Sequence, residues 1–120
     1  MRKLVSAVGV LSLMAIAHDA HAQEPSHTED VEAGRKLALT VCTACHVVEA
    51  NQDMEPILRP PARSFASIAN QPGMTEETAR NFLNNTHGTL ANSKNMPNPR
   101  LMDFQVRQVA AFLISLRIKP

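Results

Sequence analysis

The chain has no Trp, no Tyr and only four Phe among its 120 residues. Aromatic side chains usually supply much of a core's buried area. A small domain this poor in them needs another large apolar body, a disulfide or a metal to be stable. Cysteine is scarce too, with only Cys42 and Cys45 present. No excess of one charge sign exists, since the formal net charge is +1. Nothing in it forms a nucleic-acid footprint, and strong electrostatic steering toward a partner is not evident. Repeats, low-complexity stretches and alternating strand patterns are all missing. The composition, 44% hydrophobic, is that of a globular chain rather than a disordered one. The length suits one domain.

The one long apolar run lies at the N-terminus. Arg2 and Lys3 precede an almost unbroken apolar stretch from Leu4 to Ala17. That stretch is too short for a comfortable membrane span. Ala20-His21-Ala22 then fits the small-residue cleavage rule of a secretory signal peptide. Cleavage is expected after Ala22, with an uncleaved membrane anchor as the alternative. Loss of residues 1–22 removes Arg2, Lys3 and Asp19 and takes the 12 basic and 11 acidic residues to ten of each. The mature polypeptide is then nearly neutral and lies outside the cytoplasm.

The two cysteines stand at Cys42-Thr43-Ala44-Cys45, followed at once by His46. A disulfide across two residues constrains the unfolded chain little, so the pair is a poor structural staple. A thioredoxin-like dithiol expects a βαβ context, and the flanks here read as helices. Structural zinc needs four ligands, typically from two such pairs, and there is no second pair. Cys-x-x-Cys-His is the attachment signature of c-type haem. Each thiol adds to one porphyrin vinyl group, giving two thioethers. The spacing of one helical turn sets the sulfurs at the vinyl separation, and His46 supplies an imidazole nitrogen to the iron. One covalent haem c is therefore expected on Cys42, Cys45 and His46.

A haem iron can take Met or His as its other axial ligand, and Met raises the reduction potential. Met96 is the favoured candidate. It lies in Ser93-Lys94-Asn95-Met96-Pro97-Asn98-Pro99, a polar segment without helical period. Pro97 biases Met96 toward an extended backbone, and the prolines stiffen the loop. Met54, Met74 and Met102 read as core filler or surface loop. His87 competes: it could ligate iron, bond a haem propionate, or be a solvated residue past a helix end.

The rest of the chain reads as helices and loops. Residues 23–28 form a flexible lead-in to a domain over 29–120. Glu29 to Val41 is a first helix, with acidic residues at its favoured end and Gly34 inside it, at a cost of about 1 kcal/mol against Ala. Such a glycine is either a tolerated defect or a place where another helix crosses closely. Pro56, Pro60 and Pro61 keep residues 49–63 irregular. Ser64 opens a short helix carrying Phe65, Ile68 and Ala69. Thr75 caps another running to about Asn85. Asp103 to Arg117 is the last, with Phe104, Val109, Phe112, Leu113 and Leu116 largely on one face.

Taken together, Gly34, Cys42-Thr43-Ala44-Cys45-His46, the prolines of 56–61, Met96-Pro97 and the aromatic-containing last helix resemble the class I cytochromes c, above all small bacterial periplasmic ones. The likeness covers most of residues 29–117. It implies an all-α fold with N- and C-terminal helices crossing and a single covalent haem in the core. It implies that Gly34 meets Phe112 at that crossing. It also implies that a proline carbonyl, of Pro60 or Pro61, accepts a hydrogen bond from the ring of His46. The chain departs from the family in lacking the usual Gly-Pro, since Arg59 precedes Pro60. The Trp that often donates to a propionate is missing as well, and Arg59 or Arg63 would replace it. The function implied is a monomeric periplasmic electron carrier with His46 and Met96 as axial ligands and redox proteins as partners. Two alternatives stay open: a haem subunit docked to a larger dehydrogenase or oxidase, and a peroxidase-like enzyme with a labile distal Met.

Overall fold

The computed structural model describes residues 26–85 and 96–119. The N-terminal segment read as a signal peptide, its expected cleavage point and His87 lie outside these residues. Among the described residues four helices follow one another: α1 (His27–Val41), α2 (Phe65–Ala69), α3 (Glu76–Asn85) and α4 (Asp103–Ser115). Among the described residues there is no strand, only an isolated parallel bridge between His46 and Ala62. The architecture is the all-α one expected.

α1, α2 and α3 each start where a side chain can satisfy a free amide. Ser26 accepts from the Glu29 amide, and Glu29 accepts in return from the Ser26 amide at 2.7 Å. This capping box satisfies two orphan donors and starts α1 two residues earlier than Glu29. Ser64 caps α2 through the Ser67 amide. The Thr75 hydroxyl accepts from the Thr78 amide at the head of α3. α4 ends at Ser115, short of Arg117. Phe104 is 45% exposed, so the buried face of α4 begins with Val106 rather than with the ring.

α4 packs on α1, α3 and α2. The α1–α4 crossing is tight at Gly34. A Cβ built there would overlap the carbonyl group of Gln108 and lie 3.0 Å from the Val109 amide nitrogen. The neighbours are therefore main chain of α4, and the Gly34–Phe112 pairing implied by resemblance takes a different form. Phe112 is buried one turn further on, where its ring packs on Phe65 with centroids 6.2 Å apart. Near the N-terminal end of α1, Arg107 donates from Nε to the buried Asp30 carboxylate at 2.9 Å. The other Asp30 oxygen has no hydrogen-bond partner among the described residues.

The core is small and rich in alanine: Ala38, Ala69, Ala79 and Ala110 join Val48, Phe65, Val109, Phe112 and Leu113. Small side chains let helix backbones approach closely. They also leave little large apolar bulk inside the protein itself.

Gly34→Ala tests the crossing. Ala gains about 1 kcal/mol of helix propensity, but overpacking of this kind costs about 3 kcal/mol or more because main chain cannot step aside. Denaturant unfolding of the variant should show a net loss of at least about 2 kcal/mol.

Candidate functional site

α1 ends at the motif and its geometry carries straight into it. The Cys42 amide still bonds the Ala38 carbonyl at 2.9 Å. The amides of Cys45 and His46 then both turn back on the Cys42 carbonyl, at 3.2 and 2.9 Å. Thr43 is buried, and its hydroxyl bonds the Leu39 carbonyl. The five-residue motif is thus one further turn rooted in α1. Arg35 secures the outgoing chain with a two-pronged contact to the Glu49 carboxylate, Nε to Oε2 at 2.7 Å and a second nitrogen to Oε1 at 2.6 Å.

The proline-bearing segment lies alongside this turn in fixed register. The amides of Ile57 and Leu58 reach the Ala44 carbonyl, that of Ala62 the Cys45 carbonyl, and that of Phe65 the Val47 carbonyl. This register brings the Arg63 carbonyl to the imidazole. His46 Nδ1 lies 2.6 Å from it. A carbonyl only accepts, so Nδ1 carries the proton and Nε2 keeps its lone pair free for a ligand. The expectation that Pro60 or Pro61 supplies this carbonyl is therefore corrected. Both prolines are exposed, and the acceptor comes two residues after Pro61. The edge of the ring meets Phe65, with centroids 5.6 Å apart at 69°.

Cys42, Cys45 and His46 face a cavity of about 850 Å³, near the upper end of small-molecule and cofactor sites. Its other walls are largely apolar. α2 gives Phe65 and Ile68, α3 gives Ala79, Phe82 and Leu83, and α4 gives Val109 and Leu113. Met96, Pro97, Asn98 and Pro99 close another side, so Met96 joins the motif residues in one cavity despite fifty residues of separation from His46 in sequence. The Asn98 side chain accepts from the Arg100 amide at 2.7 Å, and Arg100 takes a left-handed φ of 51°. That turn steers the Met96 segment into α4. Met74 also lines the cavity, its sulfur accepting from the Thr78 hydroxyl at 3.5 Å. Met54 and Met102 are exposed.

The cysteines are unpaired. Burial, helped by the nearby Cys45, pushes the Cys42 thiol up to about 11. Reactive dithiols have the opposite shift, toward thiolate at neutral pH. Among the described residues no three His, Cys, Asp or Glu are arranged to hold a bare metal ion. The three motif residues line a wall instead of converging on a point. Of the two arginines considered for a propionate, Arg63 lines the cavity, while Arg59 lies 3.4 Å from Glu55 outside it.

Sequence reading did not find the Arg63 carbonyl, because a main-chain acceptor leaves no residue-type signal. It also missed Ser26, although Ser26-x-x-Glu29 is the pattern that marks a capping box. Phe65→Ala should cost about 3–5 kcal/mol in denaturant unfolding, the usual range for a buried phenylalanine, since the ring is 6% exposed and touches both His46 and Phe112.

A family model described as Cytochrome c matches residues 31–117. Comparison with curated proteins and with solved structures gives no match for either.

Proposed function

Since the chain belongs to the cytochrome c family, whose members carry out haem-based electron transfer, we propose that it is an exported one-electron carrier with a single haem c and His46–Met96 axial ligation. The observation that carries this reading is the meeting of Cys42, Cys45, His46 and Met96 in one apolar cavity. The residues fit the group. The thiols of Cys42 and Cys45 can form two thioethers, the free nitrogen of His46 and the Met96 thioether could hold the iron, and the walls suit a large flat apolar body. When bound, haem supplies a ferrous–ferric couple.

The chain's own residues do the rest. The Arg63 carbonyl fixes the imidazole tautomer and raises its basicity as a ligand. Pro97 and Pro99 hold the Met96 segment, and Met at that position favours a higher potential than His would. With His46 and Met96 both holding the iron, no site would be left for a substrate, as a carrier requires and a peroxidase-like enzyme does not. Phe65, Val109 and Leu113 keep water from the interior side, and limited solvent access tunes the potential. Export rests on the basic and apolar N-terminal segment, and a periplasmic location follows from the same feature. Encounters with redox partners are small and transient, which suits a nearly neutral surface.

Two measurements test the reading. The absorption spectrum of oxidised, matured protein should show the weak far-red iron–sulfur band, and Met96→Ala should abolish it. The same variant should bind carbon monoxide when reduced and lose at least about 59 mV of potential, a tenfold change for a one-electron couple. A variant with the wild-type band removes Met96 as ligand, and carbon monoxide binding by reduced wild-type protein at neutral pH removes the closed carrier. Mass spectrometry of exported protein should give residues 23–120 plus one haem; a chain still bearing residues 1–22 defeats the cleavage proposal.

A further inference from the structure

A c-type haem brings two carboxylates to a cavity whose walls are mostly apolar. A carboxylate facing such walls is costly unless a donor meets it, and charge-assisted pairing with a guanidinium is the strongest common solution. Among the described lining residues, Arg63 is the only Lys, Arg, Asp or Glu. Its side chain makes no hydrogen bond or ion pair among the described residues. The other arginine of this segment, Arg59, stands beside Glu55 and does not line the cavity. The main chain of Arg63 is already engaged, because its carbonyl takes the His46 ring proton at 2.6 Å.

The geometry points to Arg63 as a two-ended positioning residue: its carbonyl orients the His46 imidazole, and its guanidinium receives a haem carboxylate. One residue then ties the ligand side of the cofactor to its charged edge. The two ends are separable by mutation, since a substitution at 63 changes the side chain and leaves the carbonyl in place. This inference rests on the haem reading above.

The experiment compares matured wild type with Arg63→Gln, Arg63→Lys and Arg59→Gln. The charge-removing change leaves a haem carboxylate without its cation, which favours the ferric state. At an effective dielectric of about 20 and a separation on the order of 10 Å, one charge is worth roughly tenfold in the oxidised-to-reduced ratio. Arg63→Gln should therefore lower the potential by about 59 mV. Arg63→Lys should stay close to wild type, and Arg59→Gln should not move it. The proximal imidazole resonances should be the same in all four proteins, since the carbonyl remains. In wild-type protein, nuclear Overhauser contacts should join the Arg63 side chain to haem propionate methylenes; this measurement decides the matter if Arg63→Gln does not accumulate. An unchanged potential in Arg63→Gln, an equal fall in Arg63→Lys, or absent Overhauser contacts overturns the inference. Wild-type protein that matures without covalent haem defeats the haem reading itself, and that outcome shows in the absorption spectrum before any variant is measured.

Discussion

The backbone of α1 lies directly on the backbone of α4 at Gly34, and the position of every other part follows from that approach. With the carbonyl of Gln108 where a side chain would begin, the two helices have one depth at which they fit. α1 then delivers Cys42 to the level of Val109 and Leu113, the α4 residues that face the same cavity. Asp30 and Arg107 pin the far end of the pair across 77 residues of sequence. A pair with one buried partner is weak support for stability in itself, but it joins α1 to α4 at a second point, four residues before Gly34.

A second frame is made of main-chain bonds. Four amides from 57–65 run onto carbonyls of Ala44, Cys45 and Val47, and they hold an irregular, proline-bearing loop as firmly as a strand would. Phe65 sits where the two frames meet. It opens α2, bonds back to Val47, meets the His46 ring edge and packs on Phe112 of α4. The imidazole is thereby held from two sides, by the Arg63 carbonyl and the Phe65 ring.

Much of this was legible in the sequence, and the legible parts share a cause. Cys42, Cys45 and His46 form a local motif whose spacing is its chemistry. Ser64 and Thr75 announce helix starts because capping depends on residue type. Gly34 signalled a close crossing through its unfavourable propensity. The hidden parts depend on register or on distant partners. The acceptor for His46 is a carbonyl, which all residues carry, so the pairing of 57–65 with 44–47 selects Arg63 and no side-chain pattern could. Phe104 fits the apolar period of α4 yet is exposed in its first turn, so periodicity alone misplaced it. Met96 was found through its prolines, but only the folded chain brings it to the same cavity as the motif.

The alanines of the core have a consequence for biosynthesis. Ala38, Ala69, Ala79 and Ala110 bring helices together while contributing few methyl groups of their own, and a good part of the apolar surface turns toward the cofactor cavity. A haem held by thioethers stays on the unfolded chain too, so it would favour folding only through what the native state gives it, burial against these walls and ligation by Met96. A polypeptide that missed attachment would lack the large apolar body that so small a core leaves room for, so maturation would bear directly on the stability of the fold.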